Sequence, residues 1–223
     1  KFEIKLEPPV SELIVKLKPD ESLELDDEYI SEILSDLRFR IQSDLLSLFP
    51  PLLHYAAQYN NIRAILYFLE HEWPINFVDD DGRTPLHYAA EYCQMDSIFA
   101  LIDANDTDVN AKDNNGNTPL HLAVKNNKLE SIQALAVHSN LDLNSCDLTG
   151  NNSVMIAAKR GFDDIVYYLL NHEIDVNHQN ILGLSSLHFA VQKRQENIVS
   201  LLLTHNYIDV NLQDQKGVFL LIF

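Results

Sequence analysis

The stretch "DGRTPLHYAA", Asp81–Ala90, sets Gly82 and Pro85 beside a histidine and two alanines. Met once, it would pass for a catalytic loop with His87 as its base. It recurs. "NGNTPLHLAV" begins at Asn115, "TGNNSVMIAA" at Thr149, "LGLSSLHFAV" at Leu182, and a degraded copy, "PPLLHYAA", at Pro50. Gly82, Gly116, Gly150, Gly183 and Gly217 follow one another at spacings of 34, 34, 33 and 34. Asn76, Asn110, Asn144, Asn177 and Asn211 keep the same spacings. Two markers in step over five units mean a stacked repeat rather than a single site.

Each residue type has a reason to recur. The glycine suits a turn that needs φ > 0. Thr84 and Thr118 suit a helix N-cap, and Pro85 and Pro119 the first helical position, where no N–H is needed. Leu86, Leu120 and Leu187 point inward, and Ala89–Ala90 keep the first helix thin. A second helix follows in each unit. Its apolar positions repeat every three to four residues, as at Ile98, Leu101 and Ile102, at Ile165, Val166, Leu169 and Leu170, and at Ile198, Val199, Leu202 and Leu203. No single unit can bury both faces, so the units must stack.

This period with T-P-L-H-x-A resembles the ankyrin repeat family. The resemblance covers residues 47–223. It implies an all-α solenoid of helix-turn-helix units with β-hairpin loops. Five units are expected at 47–78, 79–112, 113–146, 147–179 and 180–213, with a partial sixth at 214–223. In such repeats the shared histidine, here His54, His87, His121 and His188, usually bonds backbone between adjacent repeats. Met155 fills that slot in unit 147–179, which predicts a softer junction there. A second set, His71, His138, His172 and His205, falls at the ends of second helices, where cations are favoured. Stacking spaces these too far apart to share a metal ion.

Residues 1–46 lie outside the repeat. "KFEIKL" and "SELIVKLKP" suggest a small hairpin. The apolar positions Ile30, Ile33, Leu34, Leu37, Ile41, Leu45 and Leu48 suggest an amphipathic helix, placed to cap the open end of the stack. The sequence starts without Met or a signal-peptide h-region and stops inside a first helix, at "KGVFLLIF", so it reads as a piece of a longer protein.

The formal net charge is −17, which disfavours nucleic acid and anionic membrane surfaces as partners. No apolar run reaches the length of a membrane span. Cys93 and Cys146 form no metal-ligand spacing or disulfide framework, which fits a reducing, cytoplasmic compartment. The chain carries no G-x-S-x-G, phosphate-loop or H-E-x-x-H motif, so no catalytic, cofactor or metal residues are expected.

The expected function is therefore a monomeric, non-enzymatic protein-interaction module. The alternative is a targeting or regulatory arm of a larger protein, such as a host-directed bacterial effector acting in a host cytosol. The resemblance implies a concave groove lined by hairpin tips and first-helix ends. Candidate partner-binding residues at the tips are Arg83, Asn117, Leu148, Ile181, Leu182 and Leu184. At the helix ends they are Tyr59, Glu91, Tyr92, Lys125, Lys159, Arg160, Lys193 and Arg194. Lys125, Lys159, Arg160, Lys193 and Arg194 are five of the ten basic residues after position 46, and they share one edge. Such a strip suits an acidic or phosphorylated segment of a partner protein. The apolar tips Ile181, Leu182 and Leu184 either form an interface or fold onto a neighbouring turn.

Overall fold

The computed structural model describes residues 52–217, and these form five helix pairs. The pairs are α1 (Leu52–Gln58) with α2 (Ile62–Glu70), α3 (Pro85–Tyr92) with α4 (Met95–Ile102), and α5 (Pro119–Lys125) with α6 (Leu129–Leu135). They continue with α7 (Ser153–Arg160) and α8 (Asp163–Leu170), then α9 (Ser186–Gln192) and α10 (Glu196–Leu203). First helices pack on first helices and second on second, as a stacked solenoid requires. The expected N-terminal hairpin and capping helix lie outside the described residues, as does the helix of the sixth unit.

The core forms a continuous layer between the two rows of helices. Leu86, Leu120, Leu187, Ile98, Leu101, Ile165, Leu169, Ile198 and Leu202 are all buried. Burial of such a side chain stabilises by about 1.5–3 kcal/mol. Ala89, Ala90, Ala123, Ala157, Ala158 and Ala190 are fully or nearly fully covered, as close helix approach demands. Leu203, expected to point inward, is instead 40% exposed at the end of α10.

First helices start as the sequence predicts. Pro85 and Pro119 occupy the first turn. The His87 ring then does two jobs. Its Nδ1 accepts from the Thr84 N–H at 3.0 Å, and its Nε2 donates to Asn117 O of the next unit at 2.9 Å. His54 Nε2 makes the same inter-unit bond to Arg83 O at 2.7 Å. Burial pushes His54 and His121 down to about 4, and lowers His87 as well, so these rings are neutral at pH 7. Met155 is buried and makes no such tie; there Asn152 caps α7, and its Nδ2 donates to Asp175 O at 3.1 Å. Where serine replaces proline, the hydroxyl finds a carbonyl ten residues back: Ser153 Oγ on Leu143 O and Ser186 Oγ on Val176 O, both at 3.1 Å.

The asparagine marker stitches the units together. In four of the five, Oδ1 accepts a backbone N–H of the next unit and Nδ2 donates to a carbonyl there. Asn110 bonds Asp142 N and Asn140 O; Asn144 bonds Asp175 N and Glu173 O; Asn177 bonds Asp209 N and Tyr207 O. Asn76 does the same with Asp108 and Asp106.

The connecting loops are tight turns, with no strand pair among the described residues. Asp79 N donates to Arg83 O and Gly82 N to Asp79 O, which leaves too few residues for a strand pair. One backbone bond links each tip to the next: Asn114 N to Asp81 O, Leu148 N to Asn115 O, Ile181 N to Thr149 O and Gln215 N to Leu182 O. Gly116 shows why glycine is required. Its φ is +73°, and a Cβ there would lie 2.8 Å from the Leu148 backbone N.

A further periodic position carries no sequence signature. Asn60, Cys93, Asn127, Gly161 and Arg194, each between the two helices of a unit, all have positive φ. Only one of them is glycine.

Candidate functional site

The residues at the turn tips and at the first-helix ends differ in chemistry between the two ends of the stack. At the N-terminal end the basic charge of Arg83 is paired internally. Arg83 Nη1 donates to Glu91 Oε2 at 2.9 Å, its Nε lies 3.9 Å from Asp113 Oδ2, and its guanidinium sits 5.6 Å from the Tyr88 ring centroid. Tyr88 donates to Asp79 Oδ2 at 2.6 Å, and burial together with that carboxylate raises its pKa. Arg83 and Glu91 are thus each other's partners before any ligand arrives. Tyr59 is half-buried and stacks on Tyr55 at 6.4 Å, whereas Tyr92 is exposed.

Asn117 is not a tip contact. It is 4% exposed, and its backbone N–H and Nδ2 donate to Asp113 while its carbonyl accepts from His87. Its Oδ1 accepts from Lys125 Nζ. A residue beside a turn glycine looks solvated in sequence, but here Asp113 across the turn, Lys125 and His87 of the preceding unit take up its polar groups. Lys125 is also largely committed, with Nζ 3.5 Å from Asp147 Oδ2. Burial pushes the Asp147 carboxyl up, but hydrogen bonds from Thr149 and Asn151 and the Lys125 charge hold it below the usual carboxylate range.

At the C-terminal end the basic residues are exposed. Lys159, Arg160, Lys193 and Arg194 all face solvent and make no ion pair among the described residues. Their alignment differs from the sequence reading. Counting from each glycine, Glu91, Lys125 and Lys159 match Gln192, and Tyr92, Asn126 and Arg160 match Lys193. Arg194 falls in the left-handed turn slot of Cys93, Asn127 and Gly161, with φ of 56°. It stands beside the strip rather than in its row.

The apolar tips are exposed rather than folded down. Leu148 is 71%, Ile181 59% and Leu182 54% exposed; Leu184 is half-buried. Leu148 and Ile181 each lie over the glycine of the preceding tip, which anchors the backbone but leaves most of the side chain in water.

The shared histidines are buried: His54 and His87 tie neighbouring units through Nε2, whereas His121 Nε2 has no hydrogen-bond partner among the described residues, and His121 and His188 accept the cap N–H of their own helices. His71 and His172 donate through Nδ1 to the carbonyls of Tyr67 and Tyr168 at 2.8 Å, closing helix C-termini. Cys146 Sγ lies 3.3 Å from His178 Nε2, but burial raises the thiol pKa and so suppresses thiolate. Among the described residues no group of three or more His, Cys, Asp or Glu could hold a metal ion. No described helix is long and apolar enough to cross a membrane.

The family model described as ankyrin repeats in three copies matches the chain over residues 53–147, 94–180 and 120–214. No curated protein matches the sequence.

Proposed function

Because the chain belongs to the ankyrin repeat family, whose repeats generally act as protein–protein interaction modules, we propose that it binds a partner protein through the C-terminal half of its groove. The partner presents an acidic or phosphorylated segment to Lys159, Arg160 and Lys193, with apolar side chains against Leu148, Ile181 and Leu182. The observation that carries this reading is the contrast in charge pairing. Arg83 and Lys125 are neutralised inside the protein, whereas Lys159, Arg160 and Lys193 are exposed without a counter-charge. In a chain of net charge −17, such a cluster attracts acidic groups locally and repels little of its own kind.

The triple variant K159S/R160S/K193S tests it. Affinity for an acidic peptide should fall by at least about tenfold and lose most of its salt dependence. Unchanged affinity, with helicity intact by circular dichroism, would refute the reading.

A further inference from the structure

One column of the repeat changes chemistry at a single place. The residue at the base of the first four turns is Asp79, Asp113 and Asp147, and then Asn180; the last turn has a carboxylate again, at Asp214. In all four, one side-chain oxygen accepts two turn N–H groups: Asp113 from Asn115 and Asn117, Asp147 from Thr149 and Asn151, Asn180 from Leu182 and Leu184. Asp79 accepts likewise from Asp81 and Arg83. The turn needs an acceptor oxygen; it does not need a charge. The second side-chain atom is where they diverge. Asp113 Oδ2 lies 3.9 Å from Arg83 Nε, and Asp147 Oδ2 lies 3.5 Å from Lys125 Nζ. Each carboxylate neutralises a basic side chain of the unit before it.

By register the next pair is Lys159 with Asn180. Here the second atom is an amide nitrogen, and it donates to Asn151 Oδ1 at 2.8 Å. The counterpart of that acceptor, Asn117 Oδ1, is the one Lys125 uses. Lys159 has therefore lost both acceptors that hold Lys125. It is exposed, with Nζ 5.3 Å from the Phe189 ring centroid. Phe189 occupies the place where Tyr88 sets a hydroxyl on Asp79, and it has no hydroxyl to offer.

We infer that Lys159 is a slot for one carboxylate of an extended partner segment, a Glu or Asp side chain that supplies the charge Asp147 supplies one unit earlier. The inference rests on the groove reading above and deepens it by naming the ligand group and its place. The partner residue beside that carboxylate is apolar, because Ile181 and Leu182 flank the same turn and are exposed.

The test uses N180D in the full chain. It restores an internal carboxylate, keeps the turn acceptor and removes no basic residue. The probes are two fluorescein-labelled peptide pools, identical except for Glu or Gln at fixed positions next to Leu, read by anisotropy. Wild type should prefer the Glu pool by about tenfold, and N180D and K159Q should each abolish the preference. N180D should also raise the melting temperature, and K159Q should cancel that gain. An undiminished Glu preference in N180D, equal binding of both pools to wild type, or no binding of the Glu pool would each overturn the slot. If N180D keeps the preference while R160S/K193S removes it, the slot fails and the groove reading stands. If both variants keep it, both fail. A phosphoserine pool that outcompetes the Glu pool and is insensitive to N180D assigns the strip to phosphate and likewise overturns the slot.

Discussion

The junction at Lys125 and the junction at Lys159 share a backbone plan and differ in their charge. At the first, Lys125 reaches Asp147 and Asn117 and is largely withdrawn from solvent. At the second, Asn180 takes the neighbouring asparagine for itself and leaves Lys159 exposed. A carboxylate and a carboxamide offer the turn the same acceptor oxygen, so its backbone closes either way. Their charge differs. The surface charge of this solenoid can thus differ from one unit to the next while the turn keeps its acceptor oxygen.

The N-terminal half is also tied more tightly by histidine, which gives the largest expected effect. H87L removes a fully buried ring that satisfies the Thr84 N–H and the Asn117 carbonyl. It should cost about 3–4 kcal/mol in urea unfolding, because both backbone groups are left buried and unpaired. The Met155 junction has no such tie to lose. M155L should cost less than about 1.5 kcal/mol, and a comparable loss at both sites would break the contrast.

Acidification should separate the halves next. His54 and His121 have folded pKa values of about 4, below the unfolded value of about 6.5. The unfolded chain therefore takes up protons first as pH falls. The contribution of these rings is complete above about pH 6.5 and decays towards pH 4, by on the order of 2 kcal/mol per histidine at pH 5. Hydrogen exchange, corrected for its intrinsic pH dependence, should show protection lost between pH 7 and 5 in α1 to α6 more than in α7 and α8. Uniform loss would contradict the assignment.

D147N sharpens the comparison from the other side. It keeps the turn acceptor and removes the Lys125 counter-charge. It should cost about 1 kcal/mol, since the pair is partly solvated, and it should strengthen Glu-pool binding by extending the free cationic row one unit. Unaltered binding would mean that the missing carboxylate is not what frees the lysine.

These pairings mark where sequence reading stops. The glycine and asparagine markers, the Thr-Pro helix starts and the alanine faces were all legible, because they are requirements within one unit that repeat. The fates of Arg83, Asn117 and Lys125 were not, because each depends on a residue in the next unit or across a turn. The break from Asp147 to Asn180 was visible in the column, but its meaning required the geometry. The turn slot of Cys93 and Arg194 was hidden differently: four residue types at five positions share one backbone conformation only in part suited to them, so no composition signal marks it. That slot gives the smallest expected effect. R194G should stabilise by about 0.5–1 kcal/mol and change Glu-pool affinity by less than about twofold, since Arg194 stands outside the basic row. A loss of affinity as large as that of K193S would return Arg194 to the binding strip.

The most direct measurement is a backbone amide shift map of the isotopically labelled protein titrated with the Glu pool. Shifts concentrated on α7, α9 and the Asn180–Leu184 turn, with little change around Arg83 and Glu91, are the expected result. Shifts centred on the first three units, or spread evenly along the groove, would contradict a C-terminal cationic docking face.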